Sequence, residues 1–185
     1  MPKRHTGARP LAEATGTHTD TIIEGRNREN QCYQSALRWL SRRARTEAET
    51  RRYLSGKGFE ENAVDNVVER LRTSGLLDDA AFARNWSDYR IRNSPRSAML
   101  VRRELRLKGV AEDDAVEAVA ELDDSEAALK AAEARAGRLC RLPAEEARRK
   151  LSDFLRRRGF SWELTRQTLN RLEADGALKP VDTSD

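Results

Sequence analysis

The side chains best able to do chemistry in this chain are arginines and lysines, and they come in runs. Residues 38–57 hold seven basic residues against two acidic, 90–108 seven against one, and 148–158 six against one. A row of guanidiniums on a helix suits bidentate contact with phosphates or carboxylates, the first implying nucleic acid and the second an acidic protein face. The sign then reverses: residues 110–124 carry seven acidic residues and no basic one, 59–71 are negative by three and 160–175 by one. In the second stretch Ala98, Val101 and Leu105 form a helical apolar stripe, with Arg96, Arg103 and Arg106 away from it. Candidate binding residues are therefore Arg52, Arg96, Arg102, Arg103, Arg106, Lys108, Arg149, Arg156 and Arg157. Arg52 stands where Arg103 stands one repeat later, and the third stretch has Asp153 there.

Other chemistries find little support. His5 and His18 are the only histidines and fall in an N-terminal stretch without a clear apolar pattern, so no histidine base is expected beside a nucleophile. Neither GxxxxGK[ST] nor GxGxxG occurs. Asp78-Asp79, Asp113-Asp114 and Asp123-Asp124 could in principle hold a cation, but each stands where a helix should begin and reads as a cap. Trp39, Trp86 and Trp162 could stack on the bases of a single strand, but they fall at apolar helical positions and read first as core. Cys32 and Cys140 form no CxxC and have no neighbouring histidine, so they read as reduced, partly buried thiols. No catalytic, metal-binding or cofactor-binding residue is assigned, and an enzyme is not expected. With 38% hydrophobic and 36% charged residues and a net charge of +4, much of the chain must lie at a surface. The sequence lacks a membrane-length apolar stretch and a signal-peptide core, so a cytoplasmic protein is expected.

The elements that would position these charges are all helical. Residues 1–29 are expected to be a disordered tail, and 177–185 a second tail. Between them apolar residues recur at three- and four-residue spacings, and no strand alternation appears. Thr46 with Glu49 forms a capping box, Ser94-Pro95 reads as an N-cap with a first-turn proline, and Pro143 starts a third such helix. These helices end at Lys57-Gly58, Lys108-Gly109 and Arg158-Gly159. Aligning on the glycines reveals an internal repeat. Leu54, Leu105 and Leu155 stand four residues before, Phe59, Val110 and Phe160 immediately after, Val68, Val119 and Leu169 ten after, and Leu71, Leu122 and Leu172 thirteen after. The expected fold is all-α: an elongated tandem array of three three-helix repeats at 30–77, 78–123 and 124–176. Their helices are expected over 31–44, 46–57 and 61–74; 79–93, 95–108 and 112–122; and 125–140, 143–158 and 162–174.

The segment Gly75-Leu76-Leu77-Asp78-Asp79-Ala80-Ala81-Phe82-Ala83-Arg84-Asn85-Trp86 resembles the GxLxD…FA…(W/Y) joint of the RecX family, bacterial regulators of the RecA recombinase. Ser94-Pro95-Arg96 and Glu104-Leu105-Arg106-Leu107-Lys108-Gly109-Val110 are similar to the family's Gly/Ser-Pro-(Lys/Arg) and ELxxKG(I/V) motifs. The resemblance covers roughly 33–174 and marks Gly58, Gly75, Leu76, Asp78, Asp79, Phe82, Trp86, Pro95, Gly109 and Gly159 as structural motif residues. It implies a protein that lies on a RecA–DNA filament, contacts single- and double-stranded DNA, and inhibits ATP turnover, filament extension and strand exchange. A monomer without cofactor is expected. A helical regulator of transcription acting on duplex DNA is the alternative, although no repeat concentrates base-reading Asn, Gln and Arg on one helix.

Overall fold

The computed structural model describes residues 14–139 and 141–177, with side chains from residue 24 onward. His5, the His18 side chain, Cys140 and residues 178–185 of the expected C-terminal tail lie outside the described residues. Helices are α1 (Ala14–Leu40), α2 (Glu47–Gly56), α3 (Glu61–Thr73), α4 (Asp79–Asn93), α5 (Ala98–Leu107), α6 (Glu112–Glu117), α7 (Asp124–Ala136), α8 (Ala144–Arg157) and α9 (Trp162–Ala174). No strand occurs among the described residues, so the fold is all-α. The chain forms two compact units: the described part of Met1–Ala44 with Thr50–Leu77, and Arg45–Glu49 with the described part of Asp78–Asp185.

Each repeat builds its own core. In the first unit Cys32, Ala36, Leu54, Val64, Val67, Val68, Leu71 and Leu77 are buried together, with α1 lying on α3. In the second unit Phe82, Ala83, Val101, Leu105, Val110 and Ala115 form one core and α4, α5 and α6 pack pairwise. A separate core there joins the alanine stripe of α7 to Leu151, Leu155, Phe160, Leu169 and Leu172. The small α7 side chains allow close approach to both α8 and α9. Each fully buried leucine contributes about 1.5–3 kcal/mol relative to exposure.

α1 starts at Ala14, well before the expected start at 31, so residues 14–29 are helical where a tail was expected. Residues 24–27 bury almost nothing, and the Arg28–Glu60 ion pair at 3.0 Å is exposed. A helix already nucleated by the packed stretch around Cys32 and Ala36 gains one hydrogen bond per added residue, so propagation needs no further core.

The repeated glycines do what their spacing implies. The Phe59, Val110 and Phe160 amides donate to the carbonyls of Leu54, Leu105 and Leu155, while the glycine amides donate to Ser55, Arg106 and Arg156. These paired bonds close each middle helix in a Schellman motif, with φ of 83°, 89° and 88° at Gly58, Gly109 and Gly159.

Within the second unit two of these endings also dock on a helix start. The Thr46 hydroxyl donates to the Lys108 carbonyl at 2.7 Å, and a Cβ on Gly109 would stand 2.2 Å from that of Ala48. One repeat later the Ser97 amide donates to the Arg158 carbonyl at 3.0 Å, and a Cβ on Gly159 would stand 2.4 Å from the Ser97 hydroxyl. The doubled aspartates complete each dock. Asp78 and Asp123 cap their own helices, accepting from Ala81 and from Ser125 and Glu126. Asp79 accepts from the Glu47 amide at 2.9 Å, and Asp124 from the Ala98 amide at 2.7 Å. The second member of these two pairs is therefore a docking residue, where the spacing had predicted only a cap. Asp113-Asp114 lies in the first turn of α6, which has no side-chain cap.

The start of α5 also differs from the sequence expectation. Ser97, not Ser94, is its cap, accepting from Leu100 at 3.2 Å, and Ser94 ends α4. Pro95 is buried outside the helix, where its carbonyl accepts from the Arg158 guanidinium at 2.7 Å. Pro143 occupies the cap position of α8. α6 stops at Glu117 because Val119, Ala120 and Leu122 form tighter bonds to the third residue before them.

Two predictions follow from the docks. Gly58→Ala meets open space, so it should cost only the left-handed conformation, about 1–2 kcal/mol. Gly109→Ala and Gly159→Ala should cost about 1–3 kcal/mol more, because something must move aside; equal losses for all three in urea denaturation would refute the close contact. Burial pushes the Asp79 carboxyl above its ordinary value, outweighing the Glu47 amide bond. The stability linked to its protonation is present below the unfolded carboxylate range and lost as pH rises through the raised folded value. Asp79→Asn keeps the acceptor without the charge, so its stability relative to the parent should rise between pH 4 and pH 7; a pH-independent difference would contradict this.

Candidate functional site

The predicted cations separate into those turned inward and those left at the surface. Glu104, the lone carboxylate in the basic stretch 90–108, is the organising group of the inward set. Its carboxylate accepts from the Trp86 indole at 3.0 Å and from Arg90 at 2.7 Å, and pairs with Arg96. Lys108 lies 4.4 Å from the Trp86 ring centroid and pairs with Glu49 at 3.1 Å. Arg90 lies over the same ring at 4.5 Å, and Phe82 stacks beside it. The motif residues Phe82, Trp86, Glu104 and Lys108 thus form one network holding α4 to α5. Arg96 and Lys108, expected to face a partner, direct their charge into it.

The surface set lies on α5 and α8. Arg102 and Arg106 both pair with Glu112 of α6, the latter at 2.6 Å. The acidic helix therefore neutralises part of the basic face beside it. Arg103 is exposed and makes no ion pair with a described residue. Met99 and Leu107 stand four residues to either side of it and are 69% and 72% exposed. α5 thus presents an apolar, cationic and apolar strip along one line. On α8, Arg148 reaches Glu173 and Asn170, and Lys150 pairs with Glu146 at 2.8 Å. Arg149, Arg156 and Arg157 are exposed and make no ion pair with a described residue. Arg52 is exposed on α2 in the first unit.

The remaining motif residues are architectural. Gly75 takes φ of 70° after α3, and the Leu76 amide closes that helix on the Leu71 carbonyl at 2.9 Å. The neighbour Leu77, not Leu76, is buried. Trp39 stacks on Tyr53 at 4.2 Å. Trp162 corrects the core reading: it is 65% exposed at the first turn of α9, because Phe160 two residues earlier takes the buried place. Cys32 is buried, and burial together with Glu29 pushes its thiol upward, as expected of an inert reduced cysteine.

Sequence reasoning missed Glu104, counted only as a dissenting charge, and Arg158, treated only as the residue before a glycine. The Arg158 guanidinium donates to the Ser94 hydroxyl at 3.1 Å and the Pro95 carbonyl, and lies 4.4 Å from the Phe154 ring. Its repeat position matches Lys108, the one signal that could have found it.

Among the described residues, no group of three or more His, Cys, Asp or Glu side chains is placed to hold a metal ion, and no helix is long and apolar enough to cross a membrane.

Family models for RecX match in order: the first three-helix domain over residues 32–71, the second over 78–119 and the third over 122–169. A protein of Prosthecochloris aestuarii named Regulatory protein RecX is 39% identical over 142 residues, covering 74% of this chain and 90% of the relative. One of the same name from Mycobacterium ulcerans is 37% identical, covering 73% and 80%. The crystal structure of RecX from Lactobacillus salivarius superposes with a TM-score of 0.67 at 20% identity, covering 80% of this chain and 98% of that one. A second crystal structure of a regulatory protein RecX gives 0.71 at 23% identity, covering 90% and 81%.

Removing Glu104 should leave Arg90, Arg96 and the Trp86 indole half-buried without their acceptor. Glu104→Ala is expected to lower stability by about 3 kcal/mol and Glu104→Gln by less, because one acceptor remains; a loss under about 0.5 kcal/mol for the alanine variant in urea denaturation would remove Glu104 from its organising role.

Proposed function

This chain belongs to the RecX family, and from that premise we propose that it regulates RecA by binding RecA–DNA filaments. Binding reduces ATP turnover, filament extension and strand exchange in recombination and the response to DNA damage. The observation that carries this reading is the ordered series of three family domains over 32–169, the second presenting the exposed strip of α5. The protein works as a cytoplasmic monomer, as a binder and not as an enzyme, without cofactor.

The two surfaces divide the work. Met99, Arg103 and Leu107 combine apolar area with a guanidinium, the composition of a protein interface, where Met and Arg are enriched. Phosphate contact alone has no use for the apolar pair. α5 therefore meets an acidic, partly apolar face of the RecA filament. Arg149, Arg156 and Arg157 of α8 contact phosphates of single- or double-stranded DNA. Charge complementarity at both faces mainly sets on-rate and register.

The test is single-strand-dependent ATP hydrolysis by the cognate RecA during titration with this protein at two salt concentrations. Inhibition is expected, and Arg103→Glu with Leu107→Ser should raise the amount required by about tenfold or more, the weight of one interface anchor. Arg149→Glu with Arg157→Glu should instead flatten the salt dependence of DNA binding, by about 0.7 per lost single-strand contact. No effect on RecA, with protection of a defined duplex site, would favour the transcription regulator.

A further inference from the structure

A further group of cations gathers where the segment after α4 meets α7 and the end of α8. A cleft of about 270 Å³ is lined there by Asn93, Ser94, Arg135, Arg138, Phe154 and Arg158, with no carboxylate in its wall. Arg158 is half-buried and held by the Ser94 hydroxyl and Pro95 carbonyl. Arg135 approaches the same Phe154 ring at 5.6 Å, where Arg158 stands at 4.4 Å. Arg135, Arg138 and Arg158 make no ion pair with a described residue, whereas Arg90 and Arg96 nearby share Glu104. Burial pulls the Arg158 proton affinity below the ordinary guanidinium value, and the charges of Arg96, Arg90 and Arg135, all cationic, add to the effect. Cations gathered in a partly desolvated cleft without an opposing charge are unfavourable until an anion joins them.

We propose that the cleft between Arg135, Arg138 and Arg158 is a binding site for a phosphate group. Arg158 is pre-oriented by its two hydrogen bonds, so it loses little freedom on engaging the ligand. Arg135 in the last turn of α7 and Arg138 in the turn that follows it line the same cleft and can reach the same group. Ser94 accepts from Arg158, which leaves its own hydroxyl proton free to donate to a phosphate oxygen. The lining of guanidiniums and a hydroxyl, with no carboxylate, suits the tetrahedral group of a nucleic-acid backbone or of a free phosphate.

The experiment uses the full chain without RecA, so its failure is separate from failure of the RecA reading. Thermal unfolding is followed with inorganic phosphate against chloride at matched ionic strength. An increase in midpoint of about 3 °C is expected at about ten times the dissociation constant. Arg135→Gln with Arg138→Gln, both outside the docks, should abolish the increase and leave the midpoint in chloride no lower than the parent's, because the change relieves repulsion on Arg158. In parallel, salt dependence of binding is measured with a single-stranded oligonucleotide. A slope flatter by about 0.7 or more in the double variant supports the site with DNA backbone as its source. An unchanged slope with the phosphate effect intact in the parent supports it with free phosphate as the source. Equal midpoints in phosphate and chloride for the parent, a phosphate effect that survives the double substitution, or stabilisation by an oligoglutamate peptide but not by phosphate would each overturn the proposal.

Discussion

Architecture in the second unit depends on one contact made twice: a helix ending in a basic residue and a glycine set against the start of an earlier middle helix. A glycine without Cβ lets backbone approach Ala48 or Ser97 more closely than any side chain would allow. The left-handed conformation exposes the preceding carbonyl to the Thr46 hydroxyl in one dock and the Ser97 amide in the other. A second aspartate then accepts from the first amide of the docked helix, Glu47 or Ala98. Helix termini leave amides and carbonyls unsatisfied by their own geometry, so these ends are natural points of attachment. A repeat with its own small core needs little further apolar area to be held in place.

The basic residue before each glycine is part of the same device. Lys108 places its ammonium on the Trp86 ring and against Glu49; Arg158 places its guanidinium on Phe154 and the Ser94-Pro95 corner. The two differ in one respect that matters electrostatically. Lys108 finds a carboxylate, while no described carboxylate approaches Arg158, whose charge neighbours are arginines. One construction therefore yields a neutralised structural joint in one place and a cationic cleft in the other.

Charge in this protein is divided between architecture and binding in a way that counts alone hide. Glu104 draws Arg90 and Arg96 inward, and Glu112 spans Arg102 and Arg106. What remains at the surface is less positive than the runs suggest, and it is grouped: Arg103 between Met99 and Leu107, and the three free arginines of α8. Exposed ion pairs contribute little stability, so Glu112 matters more for shaping the field of α5 than for holding α6.

Much of this was legible in the residues themselves, because it is local. Three- and four-residue apolar spacing specifies helices, and a glycine after a basic residue specifies a helix end. The near-equal intervals between Gly58, Gly109 and Gly159 specify a threefold repeat. The motif from Gly75 to Trp86, with Glu104 to Val110, was enough to point to the family. What tertiary structure decided concerns residues far apart in sequence. Whether Asp79 caps its own helix or receives the amide of Glu47 depends on a neighbour 32 residues away. Whether Arg96 faces solvent or Glu104 depends on how the chain turns at Pro95, and Trp162 is exposed because Phe160 takes the buried place. The α1 extension was illegible for the opposite reason: helix growth from a packed nucleus needs no apolar pattern to announce it. Local propensity and periodicity are properties of a segment, whereas the partner of a charge is a property of the folded chain.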